Sequence, residues 1–124
     1  MSNLSIKDLA LLAADTADDK KAEAIDVLDV QGLTVIADYF VICSANSDKQ
    51  VRAVARAIED KLAAKGIEPQ RMAGMNDAKW VLIDYADVIV HVFKKSEREY
   101  YDLERLWSDA EKILRQDEEK VEEN

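Results

Sequence analysis

Residues 79–93 read Lys-Trp-Val-Leu-Ile-Asp-Tyr-Ala-Asp-Val-Ile-Val-His-Val-Phe, and this stretch decides the fold. Two runs rich in Val, Ile and aromatic residues, 80–83 and 88–93, have the length and composition of strands. The break between them, Asp84-Tyr85-Ala86-Asp87, is short and ends in an acid, which suits a tight turn. The spacing predicts a β-hairpin with two carboxylates and a Tyr at its tip.

Upstream of the hairpin, Ser5 starts a helix whose Ile6, Leu9, Ala10, Ala13 and Ala17 share one face. Residues 24–30 read as a first strand, closed by the Gln31-Gly32 turn. Residues 38–44 are apolar almost throughout, as in a central strand covered on both sides. Asn46 or Ser47 caps a second helix that keeps 3.6 spacing through Val51, Val54, Ala55, Ile58 and Leu62, and Lys65-Gly66 ends it. Residues 67–73 contain Pro69 and read as an edge strand or extended loop. Downstream, Leu103, Leu106, Trp107, Ala110, Ile113 and Leu114 predict a third amphipathic helix. The expected fold is α+β: a mixed sheet of about five strands with flanking helices, packed mainly on one face. The hairpin strands are apolar on both sides, with Val81 and Ile83 opposite Trp80 and Leu82. Three helices do not cover both, which predicts a subunit or partner interface.

At 124 residues the chain is long enough for one domain with its own core, expected over residues 1–115. Nearly half the residues are apolar, and three Gly and one Pro rule out a linker-like composition. The formal charge is −9, of which residues 116–124 carry −4 through five acids and one Lys. That acidic tail is expected to fray. Phosphate repulsion argues against nucleic acid as the main contact, whereas a basic protein surface suits this charge. The single Cys43 excludes an internal disulfide and suits a reducing compartment. No run approaches a membrane span, and the N-terminus has no targeting segment, so a bacterial cytosol is expected.

Three groups could carry chemistry. Asp38, Asp84 and Asp87 at strand ends could hold a divalent metal for nucleotidyl transfer. That reaction wants a Gly-Ser phosphate loop and acids at i and i+2. Here the pair is i, i+3, and Ser44-Ala45-Asn46-Ser47 has no Gly. His91, the one His, lies in an apolar strand without a second His or paired Cys, which favours a hydrogen-bonded structural role. Trp80 and Tyr85 with Asp84 and Asp87 around one hairpin, followed by Tyr100 and Tyr101, have the look of aromatic anchors ringed by carboxylates. Such a set grips a basic surface.

Three stretches, Trp80-Val81-Leu82-Ile83-Asp84, Asp87 with the run ending His91-Val92-Phe93, and Arg98-Glu99-Tyr100-Tyr101-Asp102-Leu103-Glu104, together resemble the Iojap-like family, the bacterial ribosomal silencing factors. Residues 38–44 with Ser47-Asp48-Lys49-Gln50-Val51 extend the resemblance across nearly the whole chain. It implies a nucleotidyltransferase-like topology without catalysis, cofactor or metal. It implies docking on a protein of the large ribosomal subunit, the fourteenth of that series, at the subunit-joining face. Small-subunit joining is then blocked sterically under nutrient limitation, and the free protein is a homodimer. The residues carried over to that contact are Trp80, Asp84, Tyr85, Asp87, Arg98 and Tyr101. A large-subunit assembly adaptor is the alternative, and a metal-dependent nucleotidyltransferase the more distant one. Ala45 and Ala86 stand where the family often has Gly. At Ala86 this implies either a type I turn or strain, because Gly would permit positive φ.

Overall fold

Helix α1 (Ile6–Asp19) begins where Ser5 Oγ accepts the Asp8 N–H at 3.1 Å. Its buried face is Ala10, Ala13, Ala14 and Ala17, small enough to bring the helix close to the sheet. In this computed structural model residues 4–115 are described. The frayed tail expected at 116–124 lies outside them.

Strands β1 (Glu23–Asp29) and β2 (Tyr39–Ala45) follow, antiparallel to each other. Every residue of β2 is buried, as its continuous apolar run requires. Helix α2 (Asp48–Ala63) starts at Ser47, whose Oγ accepts the Gln50 N–H at 3.1 Å, and buries Val51, Val54, Ala55, Ile58 and Leu62. The stretch around Pro69 yields only a short edge strand, β3 (Arg71–Ala73), which precedes the hairpin β4 (Trp80–Asp84) and β5 (Val88–Lys94). Between β3 and β4, Gly74 has φ +91, and a Cβ there would lie 2.1 Å from the Trp80 carbonyl oxygen, so the approach to β4 requires glycine.

The sheet has six strands in the order β3-β4-β5-β2-β1-β6, one more than expected. Only β2 and β5 run parallel; the other neighbours are antiparallel. The extra strand replaces the third helix expected over residues 103–114. Helix α3 (Lys95–Tyr101) stops at Asp102, which takes φ +50, and α4 (Leu103–Leu106) is a single turn. The chain then extends as β6 (Glu111–Arg115) along β1, with Val27 opposite Leu114 and Asp29 opposite Glu111. The free hydrogen-bonding edge of β1 outweighs the helical spacing of these residues, a tertiary override of local preference.

Two cores result. Helices α1 and α2 cover the first face, closing over Ile25, Val27, Val41, Cys43, Val81, Ile83, Val90 and Val92. The second face carries Leu28, Phe40, Ile42, Ile89 and Phe93. It is covered in part by Leu103, Trp107 and Ala110, leaving Trp80 and Leu82 half-exposed. The helices therefore do not all lie on one side, and the expected open apolar surface is confined to part of the second face.

Candidate functional site

The hairpin tip is built by backbone geometry. Asp84 Oδ1 accepts the Ala86 N–H at 2.8 Å, and the Tyr85 N–H donates to the Val88 carbonyl at 2.9 Å. The Asp87 N–H donates to the Tyr85 carbonyl at 2.9 Å, closing a γ-turn about Ala86, whose φ is +72. This is the strained form of that turn. Of the two possibilities for Ala86, strain is the one realised. The Asp87 carbonyl accepts the N–H groups of Asp38 and Tyr39, at 2.8 and 3.1 Å, tying the tip to the start of β2. Arg71 stands opposite Asp84 in the register of β3 with β4. Asp87 is exposed, and Asp38 and Asp84 are half-exposed. Among the described residues no group of three His, Cys, Asp or Glu is placed to hold a metal ion.

Tyr85 turns inward. It is buried in the first core, and its hydroxyl is pushed up to about 12 by burial, then by the charges of Glu59 and Glu68. It therefore does not stand beside Asp84 and Asp87 as an exposed anchor.

Trp80 lies at the other end of β4, opposite Phe93, whereas Asp84 pairs with Ile89. Four strand steps of ~3.3 Å separate Trp80 from Asp84 by about 13 Å. Trp80, Asp84 and Asp87 do share one hairpin, as the sequence reading has it, but Trp80 and the carboxylates sit at opposite ends of it. Trp80 instead belongs to an aromatic cluster. Its ring stacks on Phe93 at 4.8 Å and meets Tyr101 at 4.9 Å, and Tyr100 meets Tyr101 edge-on at 5.1 Å. Tyr100 and Tyr101 both remain exposed.

His91 underlies this cluster. Its Nδ1 accepts the Trp80 Nε1–H at 3.1 Å, and its ring meets Phe40 edge-on at 5.2 Å. Accepting at Nδ1 requires a neutral imidazole with its proton on Nε2. Burial enforces that state, lowering the pKa to about 4. Cys43 is fully buried, and burial pushes its thiol up to about 12, so it is a core residue with no thiolate to offer.

Arg98 is buried rather than presented. The register of β1 against β2 slips between Glu23 and Asp26, where Ala24 has φ +52, and this bulge frees the Ala24 carbonyl. Arg98 donates to that carbonyl, to Ser44 Oγ at 2.9 Å, to Asp26 Oδ2 at 3.2 Å and to Glu104 Oε2 at 2.6 Å. The guanidinium thus joins α3, α4, β1 and β2, and holds Tyr100 and Tyr101 where they are. The resemblance carries Arg98 over as a contact residue, with Glu104 in the same matching stretch. In the fold they are a semi-buried brace.

One exposed apolar group escaped the sequence reading. The β1–β2 loop presents Leu33, Val35 and Ile36 to solvent, with Val35 fully exposed. Its signal was a run of aliphatic residues after Gly32 with no partner in either periodicity. Among the described residues no helix is long and apolar enough to cross a membrane.

The sequence model of the family described as "Ribosomal silencing factor during starvation" matches residues 3–124. The ribosomal silencing factor RsfS of Bacillus subtilis is 53% identical over 104 residues, covering 84% of this chain and 88% of that protein. The RsfS of Halalkalibacterium halodurans is 50% identical over 107 residues, covering 86% and 92% respectively. A crystal structure of a Chromobacterium violaceum protein superposes with a TM-score of 0.83 at 32% identity, covering 91% of this chain and 93% of the other.

Proposed function

The chain belongs to the ribosomal silencing factor family, and from that premise we propose that it acts on the large ribosomal subunit in the bacterial cytosol. It binds a protein of that subunit, the fourteenth of the series, at the subunit-joining face. By occupying that face it blocks the small subunit and represses translation when nutrients are scarce. The mechanism is exclusion: a small domain held there need only overlap the footprint of the other subunit, and no covalent chemistry takes part.

The observation that carries this reading is the family match along residues 3–124. The negative charge and the carboxylates Asp84 and Asp87 on a braced hairpin tip support it, since they complement a basic ribosomal protein. Trp80 and Tyr101 supply apolar contact on the same face of the sheet, with Arg98 and Tyr85 acting from inside as positioning residues. The free protein is a homodimer through the half-covered second face, with two-fold symmetry. Light scattering that gave a monomer mass at tens of micromolar would refute the dimer. The decisive test is sedimentation with separated subunits. The protein should follow the large subunit and not the small one, and prevent their joining. Equal partition between the two, or binding to intact ribosomes that stay joined, would refute the reading.

A further inference from the structure

The loop between β1 and β2 is held by a set of local hydrogen bonds and yet exposes aliphatic side chains. Gly32, at φ +81, turns the chain. The Leu33 and Thr34 N–H groups both donate to the Val30 carbonyl, at 3.0 and 3.3 Å, and Thr34 Oγ1 accepts the Ile36 N–H at 3.1 Å. Asp29 Oδ1 accepts from the Gln31 backbone at 3.0 Å, and the loop closes where the Val30 N–H meets the Asp38 carbonyl at 2.9 Å. Its feet, Val30 and Ala37, are buried in the second core. A loop so braced does not fold its apolar residues inward: Leu33, Val35 and Ile36 stay 47%, 104% and 64% exposed.

Carboxylates gather at the base of the loop, and the nearest cations in the strand register are Arg71 opposite Asp84 and Lys112 beside Asp26. Asp29 and Asp38 stand at the two feet, and Asp87 is tied to Asp38 through its carbonyl. No Lys or Arg occurs from residue 22 to residue 48, or from 80 to 93. Aliphatic residues on a hydrogen-bonded loop, with Asp29 and Asp38 at its feet and Asp87 next to Asp38, suit an apolar socket in a basic protein surface. The same carboxylates repel phosphate backbones. They also oppose pairing with a second copy of this acidic chain. The cost of ordering the loop is already met in the free protein, which favours tight binding.

We propose that Leu33, Val35 and Ile36 form an aliphatic finger that inserts into an apolar socket on a basic protein of the large ribosomal subunit, with Asp29, Asp38 and Asp87 meeting the cations around it. The proposal rests on the silencing-factor reading and extends it to a loop at the acidic end of the sheet. Two measurements test it. First, a benzophenone side chain placed at position 35 is irradiated with large subunits. The crosslink should join a large-subunit protein. A crosslink to ribosomal RNA or to a second copy of this chain, or none, overturns the finger. Second, Val35→Ser/Ile36→Ser should melt where the parent does, because both side chains are exposed. It should follow large subunits at least about tenfold more weakly, and parental affinity overturns the finger. The two failures are distinguishable. If the parent itself does not sediment with large subunits, the silencing reading falls and takes the finger with it. If the parent binds and the double variant binds equally, the finger alone falls.

Discussion

His91 and Ala86 show how single residues set measurable properties of this molecule. The buried imidazole has a pKa lowered to about 4, against an ordinary value of 6.5. Between those values the unfolded chain takes up a proton that the folded chain refuses. The associated stability is complete above pH 6.5 and is lost as pH falls toward 4. The gap corresponds to roughly 3 kcal/mol. Urea titrations should therefore show the unfolding free energy dropping between pH 7 and pH 4.5. His91→Asn, which keeps an acceptor for the Trp80 Nε1–H, should flatten that slope. An equally steep profile in the variant would show that other groups are responsible. Ala86, at φ +72, holds the tip in a conformation that disfavours any Cβ. Ala86→Gly should raise stability by about 1 kcal/mol, visible as a higher midpoint with an unchanged urea slope. A lower midpoint would mean that the entropy gained by the unfolded chain outweighs the strain removed.

At the scale of elements, the short helices depend on Arg98. Removing it would leave Asp26, Glu104 and the Ala24 carbonyl without their shared donor at a semi-buried site. Arg98→Ala should lose about 3–5 kcal/mol, and Arg98→Lys should recover little of it, because one ammonium cannot reach four acceptors in plane. Trp fluorescence should shift in the same variants, since α3 carries Tyr101 onto Trp80. An unchanged denaturation midpoint in Arg98→Ala would show that the brace contributes nothing. The brace also marks where sequence reading stops. Helices α1 and α2 were legible because their caps and apolar stripes are local. Strand β2 was legible because its burial is written as an unbroken apolar run. The hairpin followed from two β-rich runs and an acidic turn. Strand β6 was not legible, because what makes residues 111–115 extended is the empty edge of β1, far away in sequence. The partners of Arg98 were hidden for the same reason: a bulge in β1 frees the carbonyl that it satisfies. At the candidate site, the chain order Trp80 to Asp87 suggested one cluster. The 3.3 Å rise of a strand carries them to opposite ends.

For the whole molecule, charge and shape are separable by a conservative change. In Asp84→Asn the amide oxygen still accepts the Ala86 N–H, and at exposed Asp87 the structural contact is made by the carbonyl rather than the side chain. Asp84→Asn/Asp87→Asn should thus melt near the parental temperature yet lose large-subunit affinity, by about 2–5 kcal/mol if both charges meet partners at close range. Added salt should weaken the parent more than the variant. A double variant that sediments with the subunit as the parent does would remove these carboxylates from the contact. The order of the sheet also has a kinetic side. The β1–β2 and β4–β5 pairings close short loops, whereas β2–β5 and β1–β6 join distant parts of the chain and close large ones at greater entropic cost. During refolding, β1 is thus paired on one side well before β6 arrives to occupy the other. In that interval its bare edge can template a strand from another copy. Refolding yield should therefore fall as protein concentration rises, with intermolecular strand exchange competing against the arrival of residues 111–115.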